Sequence, residues 1–84
     1  MADDPVDRPE YCVYLFFPDG SSLLEGHSLM PEAAVRLAKE CSERPAAGFG
    51  VIARIIITDG GDHAVFEWRY KEGVTFPPRG EEAR

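Results

Sequence analysis

Apolar positions along this chain fall into four β-type runs and one helical run, with the helix in the middle. Tyr11-Cys12-Val13-Tyr14-Leu15-Phe16-Phe17 is rich in β-formers and apolar on both alternating sets, which predicts a central strand covered on both faces. In Phe17-Pro18-Asp19-Gly20, Pro18 suits the second position of a type I turn and Gly20 the left-handed position that follows. That turn sets Leu15 opposite Leu23 and Tyr14 opposite Leu24, on a second strand from about Ser21 to His27. Ser21, Ser22, Glu25 and Gly26 make this strand polar, as suits a sheet edge.

The helical run extends from about Pro31 to Arg44. Pro31 fits the first turn, where its missing N–H costs nothing, and Ser28 or Met30 precedes it as the capping residue. Met30, Ala33, Ala34, Leu37, Ala38 and Cys41 recur at three- and four-residue spacing and predict one buried stripe of mostly small side chains. Pro45 ends the helix, and Ala46 to Gly50 connects it to the second half.

Val51 to Thr58 is β-branched and Ala64 to Tyr70 alternates, so the two predict a second hairpin. A two-residue Gly60-Gly61 turn pairs Ile55 with Phe66, Ala53 with Trp68 and Arg54 with Glu67. An Asp59-Gly60 turn preserves the faces but loses the Arg54–Glu67 pairing, which favours the first register.

Together these elements predict an α+β fold, ββαββ, with one helix packed on one face of a four-stranded antiparallel sheet. Val13, Leu15, Phe17, Leu23, Ile55, Ile57, Phe66 and Trp68 form the face assigned to the helix. The opposite face carries Cys12, Tyr14, Phe16, Leu24, Ile52, Arg54, Ile56, Val65, Glu67 and Arg69. One helix cannot cover both sides. Apolar groups rimmed by charge predict a protein-interaction surface centred on Tyr14, Phe16, Ile52, Arg54 and Ile56, with cover by the chain's own ends as the competing reading.

Composition narrows the partners. At 84 residues the chain holds one domain, predicted over residues 11–70, with an acidic tail at 1–10 and a mostly flexible one at 71–84 in which Val74 and Phe76 are able to dock. The net charge of −6 opposes nucleic acid and anionic membranes alike. No apolar run reaches the roughly 20 residues of a membrane span, and Met1 to Pro5 lacks the form of a signal peptide, so a cytoplasmic location is expected.

Tyr14-Leu15-Phe16-Phe17-Pro18-Asp19-Gly20, the helix around Glu32-Ala33-Ala34 and Ala38, and the Asp59-Gly60-Gly61 turn resemble a family of short, uncharacterised bacterial proteins. The resemblance covers about Tyr11 to Tyr70. It implies the hairpin–helix–hairpin arrangement and a bacterial setting, and it carries no assigned activity and no functional residue.

Candidate chemistry is sparse. Cys12, His27, Cys41 and His63 match the ligand count of a zinc site, yet they are scattered singly rather than in short paired loops. Cys41 with His27 or His63 is a possible nucleophile and base, but its place on the core stripe opposes an activated thiolate. Glu25, Asp59 and Asp62 read as turn and edge residues rather than acid–base groups. Neither Gly48-x-Gly50 nor Gly60-Gly61 leads into a helix that would receive a phosphate. Tyr14 and Phe16 on an open sheet invite comparison with single-strand RNA binders, but the face offers only Arg54 and Arg69 beside Glu67. No catalytic residue, metal ligand or cofactor is assigned. The expected function is a non-catalytic module that meets a second copy or another protein; a ligand-binding or catalytic pocket between helix and sheet is the alternative.

Overall fold

β1 (Tyr11–Phe16) has a partner on each side, as its two apolar faces require. The computed structural model describes residues 9–76; the parts of the expected tails at 1–8 and 77–84 lie outside these. The sheet is antiparallel throughout. Its order is β2 (Ser22–Leu29), β1, β3 (Arg54–Thr58), β4 (Ala64–Arg69), β5 (Gly73–Phe76). Among the described residues it therefore has five strands where the sequence predicts four. The extra one arises because Lys71 and Gly73 take positive φ angles of 70° and 78°, which fold the chain back and set Val74 opposite Trp68.

The first hairpin has the predicted register, with Tyr14 opposite Leu24 and Leu15 opposite Leu23. Gly20 lies at φ 91° and donates its N–H to the Phe17 carbonyl at 2.9 Å, closing the turn that Pro18 begins. β2 is an edge strand, as its polar composition indicates, and two irregularities interrupt its pairing with β1.

The second hairpin departs from the predicted register. Ile55 faces Trp68 and Ile57 faces Phe66, two residues away from the pairing of a Gly60-Gly61 turn. Asp59 and His63 close a three-residue loop instead, in which Asp62 holds the left-handed position at φ 64° and the Asp59 carboxylate accepts the Gly61 and His63 N–H groups. A further irregularity after Ile57 completes the shift. The displacement is even along Arg54 to Ile57, so the faces survive there, but Val65, expected on the outer face, falls in the irregularity and lines a helix-side groove with Val35 and Phe66.

α1 (Pro31–Ser42) begins at the predicted proline, behind Met30, and packs on β1, β2 and β3. Ala34, Ala38 and Cys41 are buried against Val13, Leu15, Ile55 and Ile57. Small side chains let α1 approach closely. At Gly26 on β2 a Cβ would stand 2.7 Å from Leu37 Cδ2, so the helix leaves no room for one without a shift of Leu37. The predicted helix end at Arg44 resolves into a break and a short second helix, α2 (Pro45–Gly48), whose Ala47 joins the core.

Candidate protein-interaction surface

Pairing across the sheet arranges its side chains in rows. On the helix side, Leu23, Leu15, Ile55, Trp68 and Val74 follow one another across all five strands. On the outer side the corresponding row is Leu24, Tyr14, Ile56, Glu67 and Phe76. A neighbouring outer row runs Ser22, Phe16, Arg54, Arg69 and Gly73. Both helices lie on the other side, so among the described residues no element packs on this face.

Tyr14, Phe16, Arg54 and Ile56 thus come together. Each is half-buried by its strand neighbours, while Leu24 and Phe76 at the ends of the apolar row are 45% and 43% exposed. Ile52 does not join them, which corrects the predicted site. It precedes β3 and is only 3% exposed, packed in the core with Ala47. The Val51 and Ile52 N–H groups still bond the Ala46 carbonyl, so the chain is finishing a turn there and strand alternation begins at Arg54.

Sequence reasoning places Glu67 and Arg69 on this face and pairs Glu67 with Arg54, but gives Arg69 no partner. Arg54 Nε donates to Glu67 Oε2 at 2.8 Å, and Arg69 Nε stands 3.0 Å from the same oxygen. Thr75 Oγ1 donates to Glu67 Oε1 at 3.0 Å. The Arg54 guanidinium also lies over the Phe16 ring, 5.1 Å from its centre. Beside this cluster is a concavity of ≈ 310 Å³ lined by Arg54, Ile56, Ala64, Glu67, Thr75 and Phe76. Thr75 and Phe76 belong to the unpredicted strand, where an irregularity puts both on the outer side while Val74 faces the helix side.

The other chemical candidates are not assembled. Among the described residues no three His, Cys, Asp or Glu side chains converge on a point that would hold a metal ion. Cys41 is fully buried, and burial pushes its thiol above the usual range, which opposes a nucleophilic role. Asp59 is held below the usual carboxylate range chiefly by the His63 and Gly61 N–H groups, in keeping with a turn-forming role. Asp19 is lowered likewise by the Ser21 hydroxyl and N–H. Among the described residues no helix is long and apolar enough to cross a membrane.

Between α1 and the β4–β5 end of the sheet, two apolar grooves of ≈ 320 and ≈ 290 Å³ share Val35 and Phe66. Neither is lined by His27 or Cys41, either of which would favour a pocket with chemistry between helix and sheet. Comparison of the chain with family models, with characterised proteins and with solved structures finds no match.

Proposed function

We propose that this chain is a non-catalytic protein-interaction module whose outer sheet face receives a second protein chain, in the first instance another copy of itself. The observation that carries this reading is the outer row Leu24, Tyr14, Ile56, Glu67 and Phe76, apolar except at Glu67, which crosses the sheet on the side opposite both helices. A row of this kind with a charged flank has the make-up of an interface core and rim. A small domain also gains stability from association that its own core does not supply.

Size sets the class of interface. Five strands about 4.8 Å apart and about 20 Å long offer roughly 500 Å² per copy, so a face-to-face pair buries about 1,000 Å². That is the lower end of specific interfaces, the size class of weak and transient encounters. Sedimentation equilibrium tests it. The wild type is expected to show a reversible monomer–dimer equilibrium that Tyr14→Lys abolishes. Leu24→Lys, at a position already exposed, is expected to weaken it without disturbing the fold. A wild type that stays monomeric at millimolar concentration overturns self-association. The helix-side grooves support a ligand-binding reading less well, because their linings offer few polar groups to orient a small molecule.

A further inference from the structure

Arg54 and Arg69 are direct partners across β3 and β4, an arrangement that repels unless an anion sits between them. Glu67 supplies one negative charge against two positive ones. Both arginines approach the same oxygen, Glu67 Oε2, through Nε. Their Nη atoms make no hydrogen bond among the described residues, and the side chains are 38% and 44% exposed. Two guanidinium groups are thereby held by one carboxylate, with their remaining donors unpaired among the described residues. The spot is locally positive in a chain of net charge −6.

We propose that Arg54 and Arg69 form a clamp for a carboxylate, and that the partner docked on the outer face is anchored there by a Glu or Asp side chain flanked by apolar residues. This rests on the reading of the outer face as a docking surface and names as its occupant an acidic segment of another protein rather than a second copy, whose own outer-face Glu67 is already held by Arg54, Arg69 and Thr75. Guanidinium forks match a carboxylate in plane and spacing. The adjoining concavity of ≈ 310 Å³ has room for a single side chain, and Ile56 and Phe76 provide apolar walls for its neighbours. A polyanion such as nucleic acid fits less well, since the chain's overall charge repels it while the clamp offers only one surplus positive charge. Thr75 contributes by holding Glu67 Oε1, which fixes the carboxylate that orients both arginines.

The test is an NMR titration of the intact chain with N-acetyl-Leu-Glu-Phe-Glu-Leu-amide and with the same peptide carrying Gln for both Glu residues. The Glu peptide is expected to shift the Nε–Hε signals of Arg54 and Arg69 and the amides of Ile56 and Phe76. Its affinity is expected to exceed that of the Gln peptide at least tenfold, as a charge-assisted pair gives. Arg69→Gln, at a largely solvated position, is expected to reduce the Glu peptide to the level of the Gln peptide. Equal binding of both peptides at this face overturns the clamp while leaving the docking surface standing. Binding of neither overturns the clamp, and self-association is then decided separately by sedimentation. Inorganic phosphate shifting the same signals more strongly than the Glu peptide overturns the assignment to an acidic protein segment.

Discussion

Arg54 faces Arg69 across the β3–β4 ladder, and the two share one oxygen of Glu67 at 2.8 and 3.0 Å. The sequence expectation of an Arg54–Glu67 pair is met by a different geometry: the two are diagonal neighbours, because the register places Ile56 opposite Glu67. Long side chains reach diagonally on one face of a sheet, so the charge pairing survives a two-residue displacement.

Glu67→Gln leaves two like charges opposed with no anion between them. It is expected to destabilise the fold by roughly 1–2 kcal/mol, a value discounted for the solvation of both arginines. In an Arg69→Gln background the same substitution is expected to cost less, because the repulsion has been removed. Urea unfolding of the four proteins gives the coupling.

Ile55 and Leu23 share a cross-strand row on the helix side but differ in burial, at 0% and 49% exposed. Ile55→Ala is expected to cost about 2–5 kcal/mol, since it empties part of the layer beneath α1. Leu23→Ala is expected to cost under about 1 kcal/mol, as little apolar area returns to water. Equal costs in chemical denaturation would show that α1 does not seal this row as described.

The two thiols are expected to differ in reactivity. Cys41 is fully buried with its thiol pushed up by that burial, whereas Cys12 is half-buried on the outer face. A thiol reagent in native buffer is expected to modify Cys12 faster by orders of magnitude, with Cys41 reacting only as the chain opens. Comparable native rates for the two would contradict the packing of Cys41 beneath the sheet.

Asp59 contributes a pH dependence whose sign follows from its hydrogen bonds. Its folded-state pKa lies below the ordinary 3.8 because the His63 and Gly61 N–H groups favour the charged carboxylate. The resulting stabilisation is present above the unfolded-state pKa and is lost as the pH falls through the folded-state value. Asp59→Asn retains an acceptor and removes the titration. The stability difference between wild type and Asp59→Asn is therefore expected to be constant near neutrality and to narrow below about pH 4, as followed by thermal melts.

The legible parts of the fold were those in which one residue's backbone constraint sets a position. Pro18 and Gly20 fix the first turn, and the Tyr14–Leu24 and Leu15–Leu23 pairings follow. The second turn offered two adjacent glycines, yet its left-handed position is taken by Asp62, so glycine placement pointed to the wrong register. β5 is four residues long and lies in a segment whose composition reads as a tail, leaving its periodicity too short to weigh. Ile52 continues the even-numbered alternation of Arg54 and Ile56 in sequence, but the turn closed on the Ala46 carbonyl reverses its side. The centre of the outer face, Tyr14, Phe16, Arg54, Ile56 and Glu67, was legible because it needed only alternation, which an even register error preserves, whereas Val65 was misplaced by the irregularity after Ile57.

Association through the outer face is tested most directly by following backbone amide shifts of the isotope-labelled chain from about 20 μM to 1 mM, a range that spans weak association. Concentration-dependent shifts are expected at Tyr14, Phe16, Leu24, Arg54, Ile56 and Phe76, with the helix-side groove at Val35, Trp68 and Val74 unchanged. Shifts confined to that groove, or none anywhere in the range, would contradict self-association through this face.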